Sequence, residues 1–489
     1  MKNGLLILFL ILIIASPIRS QIVFDSSWYC AYATWDHPDA NATGYNTPAL
    51  ALLKPDIFVA VVNRPIIANP TAYLVGYRNA TDSTGRLGQY GFGAAMAGYR
   101  MPWISGFDVV ELYMPWDAAG AYDSLVFVAN NDTTERNILV FYLGQDSVYS
   151  TEYRMATLDN HPIFGIDIDA NGRVYVTKTG TATTPGRVLI YRSIQEDPGW
   201  STTHFSPPLR DITMPEPGFI RGVTVSPDGK LLYVSNYTAK KVYCFIGDPV
   251  TGYTLYNGFN FTVNDTIPNT SPPRFAGPLG LKFMPVKNLL FVACDSLLGG
   301  GASYPYGRIY VVNPNTGEKL DTIDVAQWNF MMTGAYNTRG NDGKQPRVSG
   351  YTSVYNVDVD NQFNLYSQSH YGWTVDKWYY SGILPTIPIT ILNVEKTDGI
   401  PLSFELKQNY PNPFNPSTTI EFSLIERSNI SLVVYNSLGE RVTELISNSE
   451  FEPGTYKVTF NASNLPSGNY FYELKSGNVK LSRKMTLIK

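Results

Sequence analysis

The chain has 489 residues, a formal net charge of −4, 44% hydrophobic residues and only 16% charged residues. A chain of this length exceeds what one hydrophobic core usually supports, so we expect two or more domains. The hydrophobic content excludes a disordered polymer, and the weak negative charge excludes a general attraction to nucleic acid. The 40 Gly, 33 Pro and 34 Tyr residues predict many turns and aromatic-rich strands, which is an all-β composition.

The amino-terminal residues predict a cleavable signal peptide. Lys2 supplies a positive start, residues 5–15 form an unbroken apolar run, and Ser16 and Ser20 are small residues suited to cleavage. The apolar run is too short to span a bilayer, which needs about 20 residues, although an uncleaved anchor helix stays open as the alternative. We place the cleavage after Ser20, and we predict no transmembrane segment in the mature chain.

The three cysteines, Cys30, Cys244 and Cys294, are too few and too scattered for a disulfide scaffold. Cys244 lies in an apolar-alternating segment and Cys30 lies in an aromatic one, so we predict buried, unreactive thiols. One disulfide among the three stays open at this stage. No CxxC motif occurs in the sequence, so thiol redox chemistry has no support.

The middle of the chain is a repeat of nearly sixty residues. Short apolar-alternating strands start at residues 46, 106, 165, 222, 280 and 356, and second strands follow at 59–62, 125–129, 173–177, 231–235, 289–293 and 364–368. Gly172 and Gly229, each after Asn or Asp, supply the positive φ angle that a tight hairpin needs. A third strand follows in most units. Antiparallel units of about four strands at this interval are typical of the blades of a β-propeller.

Two segments resemble a known superfamily. VSPDGKLLYVSN at 225–236 and GRIYVVNPNTG at 307–317 are similar to the repeats of lactonase-like and NHL/YVTN β-propellers. The resemblance is good over residues 163–323 and weaker on either side. It implies a propeller architecture and says little about activity, because this fold carries many unrelated functions.

The strands that we can assign account for six blades. The last unit has only three strands of its own, while residues 28–34 form a strand that precedes the first unit. An open propeller would expose the edges of its first and last sheets. We therefore predict that residues 28–34 complete the last sheet as its outer strand. Seven blades stay open if residues 330–353 contain further strands.

A new pattern starts at residue 404, after a Pro-rich stretch that indicates a stiff linker. Short alternating strands then continue to residue 489, with a turn signal about every 8–12 residues, which predicts a small Ig-like β-sandwich. Pro411, Pro413 and Pro416 exclude a helix and remove ladder hydrogen bonds, so their segment is an edge or a loop. The predicted domains are a signal peptide (1–20), a β-propeller (21–382), a linker (383–403) and a carboxy-terminal domain (404–489).

The carboxy-terminal motifs resemble a known export signal. NYPNPFNP at 409–416, LGE at 438–440, LPSGNY at 465–470 and a basic end follow one another in this order. This set is similar to the type A sorting domain of type IX secretion substrates, and a generic Ig-like module is the alternative. The resemblance implies a Gram-negative bacterium of the Bacteroidota or their relatives. It also implies passage through the periplasm to the outside or the cell surface, with the type IX machinery as the partner of residues 404–489.

The resemblance to propellers implies a ligand site at the mouth of a central channel, where first strands begin and second strands end. The candidate ligand-binding residues at those positions are Asn63, Arg100, Asn130, His161, Arg221, Asn236, Asp295 and His370. Amides and cations of this kind suit a glycan, a peptide or a small polar or anionic molecule. The alternative is that the Asn residues simply cap turns, as Asn often does.

The same resemblance implies a place for Ca²⁺ or another divalent cation, because propeller lactonases and related lyases hold one on this face. Asp108, Asp167 and Asp358 share one register on the predicted first strands and are the candidate metal ligands, although Thr224 and Lys282 interrupt that ring. The four His residues are scattered and form no zinc motif.

Two functions from different classes stay open. The first is a non-catalytic secreted or surface propeller that binds a glycan, a peptide or a protein, which Tyr- and Trp-rich loops suit. The second is a lactonase-like hydrolase or a lyase with a divalent cation in the channel. No GxSxG motif, nucleotide-binding glycine loop or Cys–His pairing occurs where catalysis would need it, and binding is the favoured interpretation.

Overall fold

A computed structural model describes residues 27–33, 46–55, 57–64, 71–78, 86–91, 115–121, 125–130, 137–143, 148–155, 163–197, 206–268, 270, 273–297, 306–334, 354–369, 374–390, 395–397, 403–451, 453–463, 465–477 and 479–489. The chain divides into two compact units, one holding Phe24–Ile389 and the other holding Thr390–Lys489. Within the described residues both units are built from antiparallel sheets, as the composition predicts. The predicted signal peptide lies outside the described residues.

The first unit contains, in chain order, β1 (Trp28–Ala33), β2 (Asn46–Lys54), β3 (Ile57–Arg64), β4 (Thr71–Arg78), β5 (Arg86–Gly91), β6 (Pro115–Ala121), β7 (Leu125–Asn130), β8 (Ile138–Leu143), β9 (Val148–Met155), β10 (Ile163–Ile168), β11 (Val174–Lys178), β12 (Pro185–Tyr191), β13 (Arg210–Pro217), β14 (Ile220–Val225), β15 (Leu231–Asn236), β16 (Lys241–Asp248), β17 (Gly252–Leu255), β18 (Phe261–Thr262), β19 (Thr266–Ile267), β20 (Arg274–Phe275), β21 (Gly277–Met284), β22 (Leu289–Asp295), β23 (Arg308–Val312), β24 (Lys319–Asp324), helix α1 (Val325–Thr333), β25 (Val354–Val359), β26 (Leu365–Ser369) and β27 (Thr374–Tyr380).

Consecutive strands of this unit pair into four-stranded sheets. Four of them are β2–β5, β6–β9, β10–β13 and β21–β24, while the sheet β14–β17 takes β18 as a further strand beside β16, and β19 pairs with β20. The predicted second strands fall in β3, β7, β11, β15, β22 and β26, which confirms them. Two of the hairpin turns use the predicted glycines, because Gly172 and Gly229 have φ angles of 78° and 74°.

The first strands of successive sheets contact one another in a cycle. β2 contacts β6, β6 contacts β10, β10 contacts β14, β14 contacts β21, β21 contacts β25, and β25 contacts β2. Glycine makes the close approach possible at several of these contacts. A Cβ atom on Gly165 would lie 2.3 Å from the carbonyl oxygen of Arg221, and one on Gly222 would lie 2.3 Å from that of Leu279. We call β2, β6, β10, β14, β21 and β25 the inner strands.

Hydroxyl groups of second strands join neighbouring sheets. Thr177 Oγ1 accepts a hydrogen bond from the Gly165 amide (2.7 Å) and donates to a carbonyl oxygen of β14 (2.9 Å). Ser235 repeats the arrangement one sheet later, since its Oγ accepts from the Gly222 amide (2.7 Å) and donates to a carbonyl oxygen of β21 (2.7 Å). All these groups are buried, so each hydroxyl satisfies backbone atoms of two sheets that water does not reach.

The last sheet takes its outer strand from the start of the chain. Its strand order is β1-β27-β26-β25, so β1 completes a sheet whose other strands lie more than 300 residues later. Trp28 pairs in register with Tyr380, and its indole Nε1 donates to Asp321 Oδ2 at 3.1 Å. The ring of Trp28 also packs edge-on against Phe291 of β22, with centroids 5.8 Å apart. The predicted outer strand at residues 28–34 is confirmed.

One predicted first strand is wrong. The sequence interpretation puts it at residues 106–110, whereas the inner strand that pairs with β7 is β6. An inner strand needs small residues where it approaches its neighbour, and β6 supplies them: a Cβ atom on Gly120 would lie 2.4 Å from the carbonyl oxygen of Leu52. Ala118 and Ala119 of the same strand are buried. Residues 106–110 lie outside the described residues.

Helix α1 occupies part of the segment in which a seventh blade stayed open. The Asp324 side chain caps it by accepting from the Gln327 amide at 2.9 Å. The helix ends at Gly334, whose φ of 77° is left-handed and whose amide donates to the Phe330 carbonyl oxygen. Residues 330–333 are therefore helical, and residues 335–353 lie outside the described residues.

The second unit contains β28 (Glu395–Thr397), β29 (Glu405–Leu406), β30 (Ser417–Leu424), β31 (Ser428–Asn436), β32 (Arg441–Phe451), β33 (Gly454–Asn461), β34 (Gly468–Ser476) and β35 (Val479–Leu487). They form two four-stranded sheets, ordered β28-β33-β30-β29 and β32-β31-β34-β35. Alternate residues of these strands, among them Phe422, Val434, Val458 and Tyr472, are buried in one hydrophobic cluster that both sheets share. The period-2 pattern of the sequence therefore covers a common core.

Part of the predicted linker, residues 383–403, is ordered within the two units. Leu384 and Ile387 are buried in the first unit. Lys287 Nζ donates to the Leu384 carbonyl oxygen at 2.9 Å, and Asn288 Nδ2 donates to that of Ile387 at 2.8 Å. Strand β28 pairs with β33 in the second unit. Ordered structure thus continues past residue 382 in the first unit and begins before residue 404 in the second.

Candidate functional site

A small pocket lies where four inner strands begin. The residues that line it are Phe164, Arg221, Gly222, Leu279, Gly280, Tyr355 and Asn356, from β10, β14, β21 and β25. Its volume is about 20 Å³, which is room for roughly one water-sized group. A pocket of this size receives one functional group of a ligand rather than a whole molecule.

The lining side chains occupy one repeated position. Phe164, Arg221 and Leu279 each directly precede the glycine of an inner strand, and Tyr355 directly precedes Asn356 at the equivalent place. In each strand the pairing register shifts at this point, which is the signature of a β-bulge. A bulge changes the direction of a side chain, and the fold brings these four residues together although each is 57 to 76 positions from the next one along the chain.

Arg221 is the charged residue of the pocket. Its side chain is 7% exposed, and the guanidinium carbon lies 4.0 Å from the centroid of the Phe164 ring. Nη1 donates to Thr179 Oγ1 at 3.4 Å, and the Phe219 ring centroid lies 5.6 Å from the guanidinium carbon. Two aromatic rings therefore lie beside a guanidinium group, and such a group can bind a carboxylate or a phosphate through two parallel hydrogen bonds.

The opposite wall of the pocket is aromatic and amide in character. Tyr355 is buried with Phe164 and Leu279 in one apolar cluster, and its hydroxyl donates to the Ser296 carbonyl oxygen at 3.0 Å. Asn356 Oδ1 accepts from the Val357 amide at 2.8 Å. The site therefore combines one cation and one amide with apolar surface, which can hold a polar group in a fixed orientation.

The sequence predicts eight ligand-binding residues, and the structure describes the side chains of three of them. Arg221 lines the pocket. Asn236 caps a turn instead: its Oδ1 accepts from the Ala239 amide at 3.0 Å, and its Nδ2 donates to the Pro217 carbonyl oxygen at 3.2 Å. Asp295 is fully buried and accepts from the amides of Ser296 (2.6 Å) and Val354 (3.1 Å). The interpretation of Asn236 as a turn cap agrees with these contacts.

The other five predicted ligand-binding residues have no described side chain. Asn63 and Asn130 lie at the ends of β3 and β7, and only their backbone positions are described. Arg100, His161 and His370 lie outside the described residues, and so does the candidate metal ligand Asp108. Since β6 rather than residues 106–110 is the second inner strand, the register that grouped Asp108 with Asp167 and Asp358 does not hold.

Asp167 and Asp358 do face the same interior, with Lys282 between them. The Lys282 ammonium lies 3.1 Å from Asp167 Oδ1 and 3.3 Å from Asp358 Oδ1. The second oxygen of Asp167 accepts from Thr224 Oγ1 at 2.8 Å, and that of Asp358 accepts from the Leu52 amide at 2.8 Å. An ammonium group already occupies the position between the two carboxylates, so a divalent cation at this point would have to displace Lys282.

The two carboxylates favour the charged form of Lys282. Burial disfavours the ammonium of Lys282, yet the two carboxylates outweigh that effect and raise its pKa above the ordinary value. Burial also raises the pKa of Asp358, and the attraction of Lys282 opposes the rise. Within the described residues, no group of three or more His, Cys, Asp or Glu side chains is arranged to hold a metal ion.

The cysteines are all free and buried, which confirms the predicted buried thiols. Burial raises the pKa of Cys244 and of Cys294. Both thiols are therefore protonated and unreactive at neutral pH, because the thiolate is the nucleophilic form.

Sequence reasoning missed most of the pocket. Phe164, Tyr355 and Asn356 are not singled out as site residues in the sequence. Lys282, which does not line the pocket, stands out only as an interruption of a ring of acids. The available signal is the residue directly before the repeated glycine, which is Phe164, Arg221 or Leu279 in three successive units. Periodicity does not predict a bulge at that point. Strict alternation would direct the same side chain to the opposite face of the sheet.

The comparisons with known proteins identify the carboxy-terminal segment. Residues 408–489 match the family model described as the secretion system C-terminal sorting domain. A tail of this kind indicates a chain secreted to the cell surface or beyond by a Gram-negative bacterium of the Bacteroidota type. No helix within the described residues has the length and apolar character that crossing a membrane requires. Comparison with curated proteins gives no match.

Solved structures that resemble the chain include β-propellers. The WD40 β-propeller domain of Doa1 is 7% identical, with a TM-score of 0.38 over 72% of this chain and 97% of that one. A 6-phosphogluconolactonase-type protein of Bacteroides uniformis is 14% identical (TM-score 0.34, 70% and 86% covered). The calcium-binding protein regucalcin of Agrobacterium tumefaciens is 12% identical (TM-score 0.36, 75% and 96% covered). Similarity this low supports no inference about activity.

Proposed function

We propose that the chain is a secreted or surface-attached six-bladed β-propeller that binds a ligand through the pocket around Arg221. The cycle of contacts among six inner strands supports six blades rather than seven. In this proposal residues 1–20 are the signal peptide, and the two sheets that share one core are an Ig-like sandwich that serves as the sorting domain. The type IX machinery is then the partner of residues 404–489.

One observation carries the binding proposal: a nearly buried guanidinium group stacks on Phe164 at the point where four inner strands begin. A cation that is withdrawn from water binds an anionic group more strongly than an exposed one, because the surrounding dielectric is low. The pocket has room for about one polar group, and a carboxylate matches the fork of Arg221. We propose a ligand that presents a carboxylate to this site.

The proposal is tested with the chain that starts at residue 21 and with galacturonate as the probe, with galactose as its neutral counterpart. Isothermal titration should show binding of galacturonate and none of galactose. Arg221→Met should weaken galacturonate binding about 10-fold or more, as expected for a lost charge-assisted hydrogen bond of roughly 1.5–3 kcal/mol. Arg187→Met, at an exposed ion pair between β12 and β13, is the matched control and should leave the affinity unchanged.

Equal affinity of the Arg221→Met variant and the parent chain would contradict the proposal, and so would equal binding of the two sugars. The alternative is a lactonase-like or lyase-like hydrolase with a divalent cation held by Asp167 and Asp358. Metal analysis of the purified chain distinguishes the two. Stoichiometric Ca²⁺ that is lost in Asp167→Asn and in Asp358→Asn would favour the enzyme.

A further inference from the structure

Aromatic rings and cations alternate at one end of the sheet β14–β17, beside the pocket. Phe164 of β10 packs on Arg221, and the guanidinium carbon of Arg221 lies 5.6 Å from the centroid of the Phe219 ring. In the turn between β15 and β16, Lys240 Nζ lies 4.1 Å from the centroid of the Phe275 ring of β20. We call Phe219, Lys240 and Phe275 the outer row.

Backbone contacts connect the two halves of this arrangement. The Phe219 amide donates to Thr238 Oγ1 at 3.0 Å, and the Tyr237 amide donates to the Phe219 carbonyl oxygen at 2.9 Å. Tyr237 begins the turn that ends at Lys240, whose amide donates back to the Tyr237 carbonyl oxygen at 3.2 Å. The turn between β15 and β16 therefore holds Phe219 and Lys240 at the same end of the sheet.

The outer row also joins the next sheet along the chain. Phe275 ends β20, and Gly277 at the start of β21 lies so close to Tyr237 that a Cβ atom there would be 2.6 Å from its ring. The outer row therefore lies beside two strands that line the pocket. These strands are β14, through Arg221, and β21, through Leu279 and Gly280.

The aromatic side chains of the outer row are exposed to solvent. Phe219 is 39% exposed and Phe275 is 48% exposed. The nearby carboxylate of Asp265 is already engaged, since it accepts from Tyr306, Tyr310 and Arg308 Nη1. The row therefore offers apolar ring faces together with positive charge.

We propose that the outer row binds an acidic oligosaccharide, one of whose carboxylates enters the pocket at Arg221. The apolar C–H face of each sugar ring packs on a Phe ring, and a further carboxylate lies near Lys240. The positive charges of Arg221 and Lys240 are complementary to carboxylates, and the exposed ring faces are complementary to the C–H faces of sugar rings. This inference rests on the proposed function of the pocket and adds the class and extent of the ligand.

The test uses the chain that starts at residue 21 and compares tetragalacturonate with galacturonate by isothermal titration. Tetragalacturonate should bind at least 10-fold more tightly than the monosaccharide. Phe219→Leu and Phe275→Leu should each weaken tetragalacturonate binding about 3- to 10-fold, which corresponds to the loss of one aromatic contact. Lys240→Gln should weaken it about 2- to 5-fold and reduce its dependence on salt. Phe275→Leu and Lys240→Gln do not touch Arg221 and should leave the affinity for galacturonate unchanged.

Matched controls separate a local effect from a general one. Tyr29→Leu removes an exposed aromatic ring from β1, and Lys230→Gln removes an exposed cation at the opposite end of β15; both should bind tetragalacturonate as the parent does. Methyl-esterified tetragalacturonate, which lacks the charges, should bind at least 10-fold more weakly. A tetraglutamate peptide carries the charges without sugar rings and should also bind more weakly.

Three results would overturn the outer row as a glycan site: equal binding of the peptide, equal binding of the methyl ester, or unchanged affinity in all three variants. If Arg221→Met still abolishes galacturonate binding in that case, the pocket stands and only the outer row fails. Unchanged galacturonate affinity in Arg221→Met would instead remove the proposed function itself.

Discussion

Trp28 and Tyr380 are partners in one sheet, with ring centroids 5.3 Å apart, although they come from the two ends of the first unit. Strand β1 closes the sheet whose other strands end the unit, so backbone hydrogen bonds rather than a covalent bridge join the ends. The closure removes two exposed sheet edges at once. It also makes the last sheet of the unit depend on β1, which precedes every other strand of the unit in the chain.

Trp28→Ala tests this closure. The side chain is 7% exposed and packs on both Phe291 and Tyr380, so its removal should lower the free energy of unfolding by about 3–5 kcal/mol. Urea unfolding followed by circular dichroism measures the change. Tyr29→Ala, on the exposed face of the same strand, should cost much less. Equal midpoints for the Trp28 variant and the parent would show that β1 does not contribute to stability.

Lys282→Met tests the triad of Asp167, Lys282 and Asp358. The substitution leaves the two buried carboxylates facing each other without their shared counterion. Breaking a fully buried ion pair costs about 3–5 kcal/mol, and the loss here should be smaller because the Lys282 side chain is 23% exposed. Lys230→Met, at an exposed position, should change the free energy of unfolding by about 0.5 kcal/mol or less. Adding Asp167→Asn and Asp358→Asn to Lys282→Met should recover part of the loss. No recovery would point to a packing effect of Lys282 rather than its charge.

The loss in Lys282→Met should also depend on pH. Burial raises the folded-state pKa of Asp358 above 3.8 even while Lys282 opposes the rise, and removal of Lys282 takes away that opposition. A raised carboxyl pKa means that the protonated form favours folding, so this contribution is complete below the unfolded pKa and is lost as pH rises through the folded pKa. The variant should therefore be closest to the parent near about pH 4 and furthest from it near pH 7. A difference that does not vary with pH would contradict this assignment.

Ser235→Ala tests the hydroxyl that joins two sheets. The variant leaves the Gly222 amide and the Leu279 carbonyl oxygen buried without this partner, which should cost about 1–3 kcal/mol. Ser235→Thr keeps the hydroxyl, as Thr177 does at the equivalent position, and should be much less destabilising. Thermal unfolding compares the two variants. Equal loss in both would mean that the volume of the residue matters here and the hydrogen bonds do not.

Deletion of residues 404–489 tests the sorting role. The truncated chain should accumulate in the periplasm of a host with type IX secretion, whereas the full chain should reach the medium or the cell surface. Immunoblots of periplasm, outer membrane and medium measure the distribution. The control is Ile425→Ala, a 50% exposed position outside the motifs that resemble the sorting signal, and it should be secreted as the full chain is. Unchanged secretion of the truncated chain would refute the assignment.

Local patterns in the sequence determined which residues form strands and which turns join them. Alternation of apolar residues and the Asn-Gly and Asp-Gly turns act over a few neighbouring positions, so they identify β3, β11 and β15 without tertiary information. The role of the strand at residues 28–34 was also predictable. In the predicted ring of six sheets, only the last sheet lacks a fourth strand. Each motif of the carboxy-terminal segment is contiguous in the chain, so the family of this segment is also recognisable from the sequence.

Only the tertiary structure decided what the inner strands present to one another. The bulge that turns Arg221 toward Phe164 and Tyr355 depends on how neighbouring sheets pack, and those residues are far apart in sequence. The same holds for Lys282, which in the sequence only interrupts a row of acids but in the fold is their shared counterion. The error at residues 106–110 has this origin too, since an inner strand is selected by small residues that fit its neighbour, as Gly120 does in β6, and not by alternation alone.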